Sequence, residues 1–179
     1  MTEDKAGQAE LYDLFQRHGI GWTHNEHPPL HTVEESKQLR GDLPGAHIKN
    51  MFLKDKKGQL WLVTCLEHRR FRIRDLEKQV GATKASFGKP ELLWEALGIR
   101  PGAVSPFGLI NDSEHNVRVV LDQQMLEIDP INAHPLHNEA TTTVSRDDFR
   151  QFFKITGHEP ILVDFDALEE TERSRQSAA

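Results

Sequence analysis

The chain has 179 residues, of which 37% are apolar and 28% are charged, and its net charge is -6. This length suits one domain with a real core, and no apolar run approaches the roughly 18 residues that a membrane span needs. The chain starts with a polar, acidic segment unlike a signal peptide, and its single cysteine, Cys65, excludes an internal disulfide. These features predict a cytoplasmic protein that does not enter membranes.

The first half of the chain predicts two helices, a strand and a hairpin. Apolar residues at helical spacing predict a helix over 6–18, and a short strand follows over 20–26. A capping-box pattern at 32–35 predicts the start of a second helix. Two strand-like runs, 47–54 and 59–66, flank a turn sequence that ends in glycine, which indicates a hairpin.

The second half alternates further helices and strands. We expect helices over 73–80 and 90–97 and from 145 onward, and strands over 103–110, 117–121 and 160–165. The polar segment 169–179 is predicted to be a disordered tail, which leaves one domain over 1–168. Because the pattern has hairpins and no regular βαβ alternation, it predicts an α+β fold with a mixed, mainly antiparallel sheet flanked by helices.

Charge is distributed unevenly along the chain. Residues 49–89 contain eleven Lys or Arg and four Asp or Glu, so this segment is +7 within a chain of net charge -6. Such segregation is typical of a polyanion site on an acidic protein. Charge alone, however, favours an ordinary solvated surface.

Lys49 lies in an otherwise apolar strand pattern. Side chains alternate between the faces of a strand, so Lys49 shares a face with Met51 and Leu53, while Asn50 lies on the other face. A lysine on an apolar face is unusual unless it is paired or functional. The alternative is a lysine that snorkels from the rim of the sheet.

Other candidate residues have ordinary structural explanations beside functional ones. The Gly- and Pro-rich loop 98–106 brings backbone amides close to a ligand or simply connects a helix to a strand. The segment 133–143 offers histidines and hydroxyls that suit hydrogen bonding to a ligand. His24, His27 and His31 lack the further ligands of a metal site, and Cys65 in a strand is typical of a buried apolar residue.

These motifs together resemble the YbaK/ProX superfamily of prolyl-tRNA-synthetase-associated editing domains, and within it the freestanding ProX-type deacylases. The resemblance covers roughly residues 8–167. It is carried by the segments PGAHIKNMFLKDKKGQLWLV (44–63), SFGKPELLWEALGIRPGAVSPFGLIND (86–112) and DPINAHPLHNEATTTVS (129–145). It implies a seven-stranded type of mixed sheet, no metal or other cofactor, and hydrolysis of the ester that joins an amino acid to the 3′ end of tRNA.

The resemblance also assigns site residues. The essential lysine of the family falls on Lys49, with Asn50 beside it, and the pocket histidine falls on His134. Its G-x-x-x-P loop falls on Gly102 to Pro106, which includes Ala103 and Ser105. Two further positions, Asn138 and Thr142, have roles that vary between subfamilies.

The implied substrate is tRNA(Pro) mischarged with alanine, with prolyl-tRNA synthetase as a partner. The chain offers no Ser/His/Asp or Cys/His set, so water is the expected attacker, with loop amides stabilising the oxyanion. Lys49 would hold the carbonyl oxygen or the terminal phosphate, and Asn50 and His134 would orient the amino acid or ribose. The resemblance also implies that a ribose hydroxyl of the substrate helps to activate the water. The alternatives are removal of cysteine or another small amino acid, or a non-catalytic tRNA-binding module.

The basic segment supplies candidate tRNA contacts. Four arginines stand close together, and alternation in an extended stretch would place Arg70, Arg72 and Arg74 on one side, with Arg69 as a further candidate. Guanidinium groups suit phosphate. We therefore predict that tRNA contacts this segment.

Overall fold

The hairpin at Asp55 forms the centre of the sheet. In the computed structural model, which describes residues 4–29, 32–39 and 43–179, strands β2 (Ala46–Lys54) and β3 (Leu60–Leu66) pair antiparallel. The Asp55 carboxylate accepts hydrogen bonds from the backbone N–H of Lys57 at 2.9 Å and from the indole of Trp61 at 3.1 Å. Gly58 has φ +87, a left-handed conformation that glycine adopts without strain. These contacts close the predicted turn.

The remaining strands extend the sheet on both sides of the hairpin. They are β1 (Trp22–Glu26), β4 (Ser86–Phe87), β5 (Val117–Asp122), β6 (Ile131–Ala133), β7 (Ala140–Val144) and β8 (Ile161–Val163). Their order is β1-β7-β6-β2-β3-β5-β8, and β4 pairs separately with β2. Among the described residues four strand pairs are antiparallel and three are parallel. The predicted mixed α+β fold is confirmed, with β4 as an eighth strand beside the expected seven.

Six helices flank this sheet within the described part of the chain. They are α1 (Gln8–Arg17), α2 (Val33–Leu39), α3 (Ile73–Val80), α4 (Pro90–Leu97), α5 (Arg146–Thr156) and α6 (Phe165–Ser177). The bounds of α3 and α4 are those predicted, because each helix ends at a glycine in the left-handed conformation, Gly81 and Gly98.

The two faces of the sheet pack against different helices. The first face carries Phe52 and Leu62 and is covered by apolar side chains of α1, α4 and α5. The second face carries Leu53 and Val63 and packs against α3 and α6. This alternation along β2 and β3 places neighbouring residues in different cores.

The strand predicted over 103–110 is wrong. Residues 103–105 have no regular structure, and a 3₁₀ helix follows at Pro106–Asn111. The fixed φ of Pro106 suits the first position of a helix, and the Ser105 hydroxyl caps it by accepting a bond from the N–H of Phe107 at 3.2 Å.

The disorder predicted for residues 169–179 is also wrong, because α6 continues to Ser177 across the expected boundary at 168. Its polar side chains bond to partners distant in sequence. Arg175 contacts Asp75 at 3.1 Å, and Glu169 contacts Arg69 at 3.2 Å. Across the described residues, none of the helices has the length and apolar character required to cross a membrane.

Candidate functional site

A gap in the sheet opens between β2 and β6. These strands pair in parallel only at Ala46 with Ile131 and at His47 with Asn132, and β4 rejoins β2 only at Leu53 and Lys54. Between these points, within the part of the chain that the structure describes, β2 has a strand neighbour on the β3 side alone. The resulting small cleft is lined by His47, Ile48, Asn50, Asn132, Ala133, His134 and Thr141.

The start of the gap is held by close backbone packing. Gly45 has φ +103, and a Cβ at this position would lie 2.2 Å from the carbonyl oxygen of Pro130. The side-chain Nδ2 of Asn132 donates to the carbonyl oxygens of Pro44 at 3.0 Å and Ala46 at 3.1 Å. The point from which β2 and β6 diverge is therefore fixed.

Residues from both faces of the sheet line the cleft. Ile48 and Ala133 belong to the apolar packing of the first face, and Asn50 shares that face by alternation. His47 and Thr141 alternate to the second face. The cleft therefore reaches both faces of the sheet.

Asn50 presents a hydrogen-bond donor to the cleft. Its Oδ1 accepts a bond from the Thr64 hydroxyl at 2.6 Å, which fixes the orientation of the amide. Its Nδ2 has no partner among the described residues, while no buried polar side-chain atom in that part of the chain lacks one. The Nδ2 group is therefore accessible from the cleft.

His134 presents a hydrogen-bond acceptor to the cleft. Its Nδ1 lies 2.9 Å from the carbonyl oxygen of Ala140, and a carbonyl only accepts, so Nδ1 carries the ring proton and Nε2 carries a lone pair. Burial lowers the pKa of His134 below its ordinary value, against the opposing effect of the Ala140 bond. His134 is therefore neutral at physiological pH, with Nε2 able to accept a proton or a hydrogen bond.

Thr141 and His27 form a second polar pair at the cleft. The Thr141 hydroxyl lies 2.9 Å from Nε2 of His27, and the His27 ring meets the His134 ring edge-on at 5.9 Å between centroids. Neither residue is among those that the resemblance assigns to the site, although Thr141 lies in the segment 133–143 whose hydroxyls suit hydrogen bonding to a ligand. The alternation of β7 would have separated Thr141 from Thr142, but this strand was not predicted.

Comparison with known proteins decides the family. Residues 27–152 match the family model described as aminoacyl-tRNA editing domain. The chain belongs to this family.

This editing domain is similar to proteins whose descriptions refer to prolyl-tRNA synthetase or to prolyl-tRNA editing. It is 42% identical over 146 residues to prolyl-tRNA synthetase associated domain-containing protein 1 of Bos taurus, covering 79% of this chain and 85% of that protein. It is 34% identical over 140 residues to prolyl-tRNA editing protein ProX of Acetoanaerobium sticklandii, covering 78% and 85%. A crystal structure of a proposed trans-editing enzyme for prolyl tRNA synthetase has the same fold, with a TM-score of 0.63 and 20% identity over 90% of this chain and 98% of that one.

Lys49 lies beside the cleft of this editing domain but not in its lining. Its side chain emerges on the second face, where Nζ donates to the carbonyl of Arg69 and lies 5.8 Å from the centre of the Phe71 ring. The expected alternation of Lys49 and Asn50 is thus observed. The catalytic role of Lys49 stays a prediction.

The predicted loop 102–106 is not among the cleft-lining residues either. Ala103 packs in the first-face core with Ala133, and Ser105 is fully buried as a helix cap. Gly102 has φ +91, which favours glycine at this turn. The structure therefore places this loop on the same side of the sheet as Asn50, and its contact with a ligand stays a prediction.

The remaining predicted ligand contacts differ in accessibility. Thr142 is fully buried on the first face and bonds to the Tyr12 hydroxyl at 2.7 Å, so it does not face the cleft. Asn138 is half-buried in the segment between β6 and β7. Its neighbour Thr141 lines the cleft instead.

The predicted basic contacts divide into exposed and buried residues. Arg70, Arg72 and Arg74 are exposed, but Arg74 lies in α3, so they do not form one extended stretch. Arg72 pairs with Glu172 at 3.1 Å. Arg69 is only 3% exposed and pairs with Asp122, so its predicted role as a phosphate contact is wrong.

Thiol chemistry finds no support at this site. Cys65 is fully buried, and burial raises the pKa of its thiol to about 12. The part of the chain that the structure describes holds no group of three or more His, Cys, Asp or Glu suited to a metal ion. His31 of the predicted histidine cluster lies outside the described residues.

Proposed function

We propose that this editing domain deacylates tRNA(Pro) that has been mischarged with alanine. The single observation that carries the proposal is the pairing of a donor, Nδ2 of Asn50, with an acceptor, Nε2 of the neutral His134, in one small cleft. Ester hydrolysis by water needs both functions. The description of a bacterial relative as a prolyl-tRNA editing protein supports the same activity.

His134 would act on the attacking water, and Asn50 would act on the ester. Nε2 of His134 accepts a proton from the attacking water, since its lowered pKa keeps this nitrogen unprotonated. When the bond between the acyl carbon and the ribose oxygen breaks, His134 returns this proton to the departing ribose oxygen. Nδ2 of Asn50 donates to the ester oxygen as negative charge develops on it. The Thr64 hydroxyl orients the Asn50 amide for this task.

Lys49 would hold the terminal phosphate rather than the ester. Its ammonium group is on the second face, 5.8 Å from the centre of the Phe71 ring and next to a cleft that reaches both faces. A bond to a phosphate would replace the bond to the Arg69 carbonyl. We also propose that the amides of the Gly102 loop contribute to the aminoacyl end of the site.

Selection of alanine would follow from the size of the cleft. A synthetase pocket built for proline cannot fully reject a smaller amino acid, since each missing methylene is worth only about 1–3 kcal/mol. A second sieve that excludes proline solves this problem. Ile48 and Ala133 are the apolar residues that would set the limit. Prolyl-tRNA synthetase is the proposed source of the mischarged tRNA.

The direct test is hydrolysis of tRNA(Pro) charged with alanine, cysteine or proline. We expect Ala-tRNA(Pro) to be cleaved fastest and Pro-tRNA(Pro) to survive. The variant His134→Gln should lose about 100-fold or more in kcat, the usual size of a general-base contribution. His137→Gln, in the same segment but outside the cleft lining, is the matched control.

Two other results would contradict the proposal. Faster cleavage of the cysteinyl ester would identify cysteine as the substrate. Binding of charged tRNA with no hydrolysis of any ester would identify a non-catalytic tRNA-binding module.

A further inference from the structure

We infer that Thr141, oriented by His27, recognises the α-ammonium group of the aminoacyl substrate. The inference rests on the proposed function and adds to it the recognition of one chemical group. It begins with the position of Thr141, which is 8% exposed and lines the cleft, whereas Thr142 next to it is fully buried and faces the core.

A chain of hydrogen bonds determines which way the Thr141 hydroxyl points. Nδ1 of His27 lies 2.9 Å from the carbonyl oxygen of Pro28, so this nitrogen carries the ring proton. In a neutral His27 ring Nε2 is then an acceptor, and the Thr141 hydroxyl at 2.9 Å donates to it. Because its proton is committed to His27, the Thr141 oxygen can only accept a bond from a ligand in the cleft.

The same reasoning makes His134 an acceptor, since its Nδ1 donates to Ala140 and leaves Nε2 with a lone pair. Since Nε2 of His134 is the proposed base for the attacking water, Thr141 is an acceptor available to the substrate, beside the donor on Asn50. An ammonium group has three N–H donors and no acceptor, so it matches the Thr141 oxygen. The ester carbonyl, which only accepts, matches the donor.

His27 is a positioning residue in this arrangement. Its backbone N–H donates to the carbonyl of Glu139 at 3.0 Å, which continues the pairing of β1 with β7 beyond Glu26. Its ring touches both acceptor residues, by a hydrogen bond to Thr141 and by an edge-on contact with His134. The backbone therefore fixes the ring that orients the recognition group.

The test compares two uncleavable ligands. These are acceptor-stem RNA hairpins of tRNA(Pro) whose 3′ end carries an alanyl or a propionyl group through an amide, so that they differ only in the ammonium group. Wild-type protein should bind the alanyl hairpin more tightly. In Thr141→Val this preference should shrink by about 10- to 100-fold, the range for hydrogen bonds to charged groups. Affinity for the propionyl hairpin should change little.

Thr142→Val is the matched control, since it removes a hydroxyl from the opposite face of the same strand. It should keep the preference for the alanyl hairpin. His27→Gln, whose amide oxygen can still accept from Thr141, should retain more of the preference than His27→Phe.

Three results would overturn the inference. One is wild-type protein with no preference for the alanyl hairpin. Another is equal loss of both ligands in Thr141→Val, which would assign this residue a purely structural role. The third is loss of the preference in Thr142→Val alone. Because binding is measured without turnover, a protein that prefers the alanyl hairpin but hydrolyses no ester would refute the proposed function and leave the ammonium site standing.

Discussion

Asn50 interrupts an otherwise apolar series of side chains on the first face of β2. Its neighbours on that face are Ile48 and Phe52, which pack in the core. A polar group in such a position costs free energy unless it is hydrogen-bonded. The Thr64 hydroxyl satisfies only the oxygen of the Asn50 amide. Retaining an amide whose nitrogen has no partner among the described residues is consistent with a function in the cleft.

A substitution at Lys49 tests whether this residue binds a phosphate of the tRNA or acts at the reacting ester. If its ammonium binds a phosphate, Lys49→Met should raise KM for charged tRNA by about 10-fold, the effect of one charge-assisted bond, and leave kcat nearly unchanged. Lys49→Arg should restore much of the affinity. Lys54→Met, at the exposed end of the same strand, is the control. A large loss of kcat at constant KM would instead place Lys49 at the reacting ester.

Site residues were predictable where the strand pattern was visible. The division of Lys49 and Asn50 between two faces followed from alternation in the hairpin. Thr141 was not distinguished from its two neighbouring threonines, because the alternation of β7 becomes informative only when its partners β1 and β6 are known. The acceptor role of His134 depends on a carbonyl six residues away, which no local pattern reveals.

Helix α6 is bound to the sheet by ion pairs rather than by apolar contacts alone. The Arg69 guanidinium contacts Asp122 of β5 at 2.8 Å and also bonds to Asp166 and Glu169 of α6. Asp122 is fully buried. One arginine after β3 therefore links a central strand to the last helix.

Removal of this arginine should destabilise the fold. Arg69→Met leaves Asp122 as an uncompensated buried charge, and loss of one partner of a buried pair typically costs about 3–5 kcal/mol. We expect a decrease of this size in the free energy of unfolding, measured by urea denaturation. Arg173→Met, which removes an exposed pairing with Glu169 at 3.8 Å, should cost less than about 1 kcal/mol. Equal effects of the two variants would disprove the structural role of Arg69.

Element predictions succeeded when start and stop signals were local. Helices α3 and α4 end at glycines that the sequence displays. The strand predicted over 103–110 failed because apolar content outweighed Pro106, which begins a 3₁₀ helix. Order in α6 was missed because its partners Arg69 and Asp75 are about a hundred residues away.

At the scale of the whole molecule, part of the positive segment is neutralised by the C-terminal helix. Acidic residues of α6 pair with Arg69 and Arg72. Arg70 and Arg74 remain exposed, as do three lysines at the tip of the hairpin, Lys54, Lys56 and Lys57. The net charge of the segment therefore overstates the charge that is open to RNA.

Charge reversal distinguishes the contribution of the arginines after β3 from that of the lysines at the tip of the hairpin. Arg70, Arg72 and Arg74 changed together to Glu should raise KM for charged tRNA and flatten its salt dependence. The log–log slope should fall by about 0.7 for each lost contact with single-stranded RNA. The same change at Lys54, Lys56 and Lys57 reverses as much charge at the far end of β2 and should have less effect. Normal affinity and salt dependence in the arginine variant would show that these residues only solvate the surface.

The gap between β2 and β6 also bears on how such a protein diverges over generations. Main-chain packing at Gly45 and Pro130 sets where the strands part, while the side chains of Ile48 and Ala133 form the apolar walls. The position of the opening and the apolar lining of the cleft are thus determined by different residues. If the cleft selects the amino acid as proposed, one substitution at Ile48 or Ala133 would change that selection without altering the backbone packing at Gly45.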